Sequence, residues 1–158
     1  MADDLPAIWG RAAHTSAKHQ ILQTYLKAWI PIMSRQSYRV GAMRSELLFV
    51  DGFAGPGCYS GGEDGSPLLA IKSVLSHPSP LPIPIAFLFI EEDLERCEIL
   101  RGNLERYAQE IQNSPSIKSV KVERGDCETR VGVLLDERER KLSHRQLKVE
   151  KKTMATPA

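Results

Sequence analysis

Three acidic residues, each placed where a candidate strand ends, are the positions in this chain best suited to chemistry. They are Asp51 closing ELLFVD, Glu91 closing IAFLFIE, and Asp126 just after IKSVKVERG. Asp51 is followed by glycine at 52, 55 and 57, with Phe53 among them. Glycine takes backbone conformations closed to other residues and leaves room for a ligand beside the chain. A carboxylate ending the second run suits the vicinal hydroxyls of a ribose. Asp126 suits an exocyclic amine, or equally the cap of a following helix. One site assembled from three loops points to a nucleoside-bearing cofactor.

The glycine spacing narrows the choice. It reads G-x-x-G-x-G, whereas a dinucleotide site needs G-x-G-x-x-G opening onto a helix, and no G-K-[ST] follows as in a phosphate-binding P-loop. S-adenosylmethionine fits better, because it carries no phosphate. Its ammonium and sulfonium can be answered by Asp51, and its carboxylate by N–H groups of the loop. A nucleotide-dependent oxidoreductase is the weaker reading of the same glycines. Cys58 beside the loop has no His or Asp placed by sequence to activate it, so a packed or exposed thiol outweighs a nucleophile.

The elements that must hold these residues alternate. TSAKHQILQTYLKAWIPIM has apolar residues at helical spacing, with Thr15 or Ser16 as cap and Pro31 as a kink or stop. ELLFVD is a buried strand, and GSPLLAIKSVLSH a helix with Ser66 as N-cap and Pro67 at its first position. HPSPLPIP is a connector, IAFLFIE a second strand, and a helix from Asp93 carries Leu94, Cys97, Leu100, Leu104, Tyr107 and Ile111 on one stripe. IKSVKVE alternates as a third strand, and TRVGVLLDERER begins another helix. This order predicts an α/β fold with a parallel sheet, whose ligands bind at the C-terminal strand ends.

VDGFAGPG, FIEED and RGDCE resemble the first three motifs of class I S-adenosylmethionine-dependent methyltransferases. More narrowly, KHQILQTYLKAW, FVDGFAGPGCYSGGEDGSPLLAI and FIEED resemble the three-Cys-motif partner (TcmP) family, over the stretch from Ala13 to Leu135. The resemblance implies the N-terminal portion of a Rossmann-like class I methyltransferase fold, with about three parallel strands and flanking helices. It carries cofactor binding onto Asp51, Gly52, Phe53, Gly55, Gly57, Glu91 and Asp126, and places Lys18 in the family's N-terminal helix motif. It also implies a partner protein bearing the three-Cys motif; the cysteines of the family name belong to that partner.

Complete relatives have a longer sheet, whose fourth strand often ends in an Asp-Pro motif that shapes the acceptor site. After Leu135 this chain shows no further apolar strand and no such motif, so it reads as a truncated copy that lacks the acceptor half, with methyl transfer expected of complete relatives and no catalytic base to name here. The expected layout is an extension at 1–12, a partial cofactor-binding domain at 13–136, and a basic, disordered tail at 137–158. The competing reading is a non-enzymatic interaction module with a vestigial nucleoside loop. A short sheet with a bare edge is also expected to associate.

Composition excludes several other classes. The chain has 158 residues, 42% hydrophobic and 26% charged, with a net charge of +1 that argues for neither nucleic acid nor membrane. Residues 137–158 carry seven Lys or Arg against three Glu, a local +4 that leaves the body at −3. That tail can touch phosphates, but it has no aromatic residue for stacking on bases. No apolar run of about 18 residues is present, and MADDLPAIWG lacks the layout of a signal peptide. Three cysteines with no C-x-x-C pair favour a reducing cytoplasm over disulfides or zinc, and His14 and His19 lack the spacing of metal ligands.

Overall fold

The computed structural model describes Ile8 and residues 13–39, 46–137 and 140; within the first helix it describes side chains from 17 to 36. The expected extension at 1–12 and basic tail at 137–158 lie outside the described residues apart from positions 8, 137 and 140.

Seven elements follow in the order α1 (Ala13–Arg39), β1 (Leu47–Asp51), α2 (Ser66–Leu75), β2 (Ile85–Glu91), α3 (Leu94–Glu105), α4 (Ala108–Asn113) and β3 (Ile117–Arg124). Residues 127–137 are again helical, here α5. The three strands make one parallel sheet in the order β1-β2-β3. This is the α/β arrangement expected from the alternation of strands and helices, compatible with a Rossmann-like fragment. In β2, the central strand, all seven residues are buried. That burial accounts for its unbroken apolar run, since a strand covered on both faces has no reason to alternate.

The main core lies on one face of the sheet. Ile85, Phe87 and Phe89 of β2 point there with Leu47 and Phe49 of β1, and the rings of Phe49, Phe87 and Phe89 lie 5.6 to 6.5 Å apart. Leu26 and Ile30 of α1, Leu68, Ile71 and Val74 of α2, and Leu100 and Leu104 of α3 pack in the same cluster. Burying side chains of this size stabilises the fold by about 1.5–3 kcal/mol each.

Several local expectations are corrected. α1 begins at Ala13, so Thr15 and Ser16 lie inside it, and it continues through Pro31 to Arg39. Proline costs the helix one ladder bond, yet the turn beyond it is anchored. Ser34, fully buried, donates its hydroxyl to the Ile83 carbonyl at 2.8 Å and accepts the Ile83 N–H at 2.7 Å. The proline-rich connector is thereby clamped to α1; two residues earlier the Ser116 hydroxyl accepts the Leu81 N–H at 2.9 Å. The N-cap of α2 is Gly65, one residue before the expected Ser66. The expected single helix after β2 breaks at Tyr107, and Leu94 is exposed rather than on the buried stripe. Asp93 does cap α3, accepting the Arg96 N–H at 2.8 Å.

Candidate cofactor site at the strand ends

Parallel pairing brings the C-terminal ends of all three strands to one edge. Asp51 stands opposite Phe89, and Glu91 opposite Arg124. β1 therefore stops two residues short of β2, and the glycine loop crosses the gap. The Ala54 N–H donates to the Ile90 carbonyl at 3.0 Å, and on the far side the Gly125 N–H donates to the Glu91 carbonyl at 3.0 Å. Asp51, Glu91 and Asp126 with its neighbouring loop are thus brought together.

Glu91 is turned toward the protein. It is 8% exposed; Oε2 accepts the Gly55 N–H at 2.8 Å and Oε1 the Asp93 N–H at 3.0 Å. A carboxylate offers about four acceptor positions, so these two bonds leave two over. Asp51 is half-buried and also committed: Oδ1 accepts the Phe53 N–H at 3.2 Å, and Oδ2 the Ser66 hydroxyl at 2.6 Å. Ser66, expected only as a helix cap, instead joins the strand end to α2. The N–H groups of Phe53, Ala54 and Gly55 are therefore engaged within the protein. The expectation that the loop turns N–H groups to a ligand carboxylate does not extend to these three.

The glycines divide by what surrounds them. Gly55 has φ +62°, and a Cβ built there would meet nothing within 4 Å. Gly57 has φ +79°, and its Cβ would press on Leu100 Cδ1 at 2.7 Å. A Cβ at Gly52 would collide with Cys127 Sγ, and one at Gly65 would come within 2.9 Å of the Gly57 backbone. Of the three loop glycines, Gly55 alone borders open space; the others serve close packing. Phe53 is 86% exposed beside it.

Asp126 is exposed and caps α5, its carboxylate accepting the N–H groups of Glu128 at 2.9 Å and Thr129 at 3.2 Å. The bond from the Thr129 side chain, joined by the N–H groups of Thr129 and Glu128 and by nearby Arg130, outweighs desolvation and holds its carboxyl below the usual range. Lys18 is exposed, whereas its neighbour His19 reaches the Tyr59 hydroxyl at 3.3 Å and lies against that ring.

The segment after Gly57 is a closed hairpin. Cys58 and Asp64 form a bridge, the Tyr59 N–H donates to Glu63 O at 2.9 Å, and the Gly65 N–H donates to Gly57 O at 2.7 Å. The Asn103 amide fastens it to α3, donating to Pro56 O at 2.9 Å and to Cys58 Sγ at 3.1 Å. Lys72 fastens it to α2 through Asp64 at 2.6 Å, and lies 5.1 Å above the Tyr107 ring. Burial alone would lower the Lys72 pKa, but the bonds to Asp64 and Tyr107 outweigh it and raise the value. Asn103 and Tyr59 escaped sequence reasoning, as did the contact of His19 with Tyr59, since each acts across more than 35 residues with no local pattern to mark it. Comparison with protein-family models, curated proteins and solved structures found no match to this chain.

Proposed function

We propose that this chain binds S-adenosylmethionine at the C-terminal edge of its sheet, in the manner of a class I methyltransferase-like protein of the three-Cys-motif partner family. The observation that carries the reading is the convergence of Asp51 and Glu91 on a glycine loop whose one open position is Gly55. The residues present fit the cofactor's cationic end and its ribose. Asp51 supplies negative charge for an ammonium or sulfonium, and Glu91 retains acceptor positions for ribose hydroxyls. Phe53 offers an exposed ring for an apolar or aromatic portion, and Asp126 an exposed carboxylate.

When bound, the cofactor supplies an electrophilic methyl group, which these residues would orient rather than activate. A role as a purely non-enzymatic module is the alternative, and it separates from the proposal at the binding step. Calorimetric titration with S-adenosylmethionine and with S-adenosylhomocysteine should give saturable heat that is lost in Asp51→Ala and Gly55→Val. Circular dichroism checks that both variants remain folded. No heat with either ligand in the folded wild-type chain refutes the proposal.

A further inference from the structure

Among the described residues the order β1-β2-β3 leaves two sheet edges, and the chain treats them differently. β3 is guarded. Its Lys118, Lys121 and Arg124 are exposed, and its pairing with β2 slips register between Ile85 and Ala86. The chain's own arginines also take two of its outward carbonyls: Arg101 donates to Val122 O at 3.1 Å, and Arg130 to Arg124 O at 2.7 Å. Charge, irregular register and covered backbone are the means by which sheets keep an edge from pairing.

β1 has none of these. The Leu47 N–H donates to the Pro84 carbonyl at 2.8 Å, which sets the alternation: Leu47, Phe49 and Asp51 turn their N–H and C=O groups to β2, and Leu48 and Val50 turn theirs away. Among the described residues, none bonds to those outward groups of Leu48 and Val50. No Lys, Arg or Pro stands between positions 47 and 51. LLFV is as apolar as β2, yet Leu48, Phe49 and Val50 are only half-buried where every residue of β2 is buried. A run of the kind that strands covered on both faces carry is left partly open along one side.

This edge is complementary to itself. In an antiparallel hydrogen-bonded pair, each residue contributes both its N–H and its C=O. Leu48 and Val50 must therefore face partners that also turn outward. Centring two copies on Phe49 sets Leu48 against Val50 of the second copy and the reverse, with two N–H···O bonds in each of the two pairs. The same register sets Phe49 against its own counterpart and Asp51 against Leu47, so the whole strand pairs and no like charges oppose. Moving the centre to Leu48 or to Val50 keeps the bonding parity but carries the far end of each strand past its partner. Parallel pairing fails on symmetry. There a residue bonds to the two neighbours of the one it faces, so Leu48 would face an odd-numbered residue, and no two-fold axis relates such copies. Closed two-fold dimers are the commonest assemblies of soluble chains.

We infer that β1 pairs antiparallel with β1 of a second copy about a two-fold axis at Phe49, which joins the two sheets into one. The inference does not rest on the cofactor reading, because Leu48, Phe49 and Val50 take no part in that site. The paired segment is short, so the dimer is a weak one, with a Kd of about 10–100 μM.

Sedimentation equilibrium of the full chain from about 5 to about 500 μM should show monomer passing to dimer with no larger species. Leu48→Lys and Val50→Glu should each weaken the dimer at least about tenfold. Combined in one chain, the two changes set unlike charges opposite each other twice across the axis, and should restore the dimer to within about threefold of the unaltered chain. Circular dichroism checks that each variant is folded. Hydrogen exchange read by mass spectrometry needs no variant: it should slow in the peptide holding Leu48 and Val50 as concentration rises, and stay constant in the one holding Val120 and Val122. A chain that stays monomeric at the highest concentration overturns the inference and leaves the edge to a strand of another protein. A dimer that both single variants leave intact overturns it too, as does a double variant that associates no better than the single ones. Growth beyond the dimer refutes the closed two-fold pairing, and exchange that slows at Val120 and Val122 instead moves the interface to β3.

Discussion

Ser34 provides a sharp test of how the fold is held. Its hydroxyl serves both polar groups of Ile83, 49 residues away, at 2.8 and 2.7 Å, and both residues are buried. Ser34→Ala removes one oxygen, opens almost no cavity, and strands a backbone N–H and a carbonyl away from water. Leaving a buried group without its partner costs about 1–3 kcal/mol, with carbonyls at the lower end. The expected loss is about 2–4 kcal/mol, a large share of a stability that for most domains is only about 5–15 kcal/mol.

Ser73 is the matched control. It is also buried in a helix, but its hydroxyl bonds Leu69 O four residues back at 2.7 Å, a carbonyl that the helix ladder already satisfies. Ser73→Ala therefore strands nothing and gains up to about 0.5 kcal/mol of helix propensity. In urea, with a slope of about 2 kcal/mol per molar, Ser34→Ala should lower the unfolding midpoint by about 1–2 M, whereas Ser73→Ala should leave it unchanged or raise it by less than about 0.3 M. Tryptophan fluorescence reads both transitions, since Trp29 lies on the same helix as Ser34. Equal midpoints for the two variants would show that the Ser34 clamp contributes nothing beyond an ordinary buried hydroxyl.

Two further outcomes follow from the titratable groups. Burial, with the charges of Glu91 and Asp93 adding to it, raises the Cys97 thiol above its ordinary range against the pull of Arg101 and Arg124, while Cys58 and Cys127 are only half-buried. Ellman's reagent at pH 8 should accordingly titrate two thiols quickly and the third only in denaturant, with Cys97→Ser removing the slow one; three equal rates would refute this. Asp126 has a folded-state pKa lowered from 3.8, so its capping contribution is fully present above that value and fades as pH falls through the lower folded midpoint. An NMR titration of its carboxyl carbon should give a midpoint under 3.8, and Asp126→Asn should abolish the accompanying shifts at Glu128 and Thr129; a midpoint at or above 3.8 refutes the cap.

β1 and β2 were legible as apolar runs closed by an acid, the form a strand covered on both faces takes, and β3 by its alternation. What misled at helix starts was the double use of hydroxyl residues. Ser66 is as good a cap as any by type, but the Asp51 carboxylate at 2.6 Å claims it, and Gly65 takes the cap instead. Pro31 misled for a related reason. Local chemistry says stop, and the Ser34–Ile83 clamp with Ile30 in the core keeps the helix going. Contacts such as Asn103 to Pro56, 47 residues apart, have no periodic signature in one sequence.

At the candidate site the strand-end positions of these residues were legible, but the direction of their side chains was not. By its place in the sequence Glu91 suits a ribose; its two closest bonds turn inward, to the N–H groups of Gly55 and Asp93. The same carboxylate that would meet a ribose therefore also holds the glycine loop over the end of β2. A substitution at Glu91 reports on loop integrity before it reports on any ligand, because it strands a backbone donor in either case. Gly55 separates the two effects. A methyl there meets no protein atom, so Gly55→Ala carries only the left-handed backbone penalty of about 1–2 kcal/mol. Any loss of ligand binding beyond that strain measures what approaches the loop from outside.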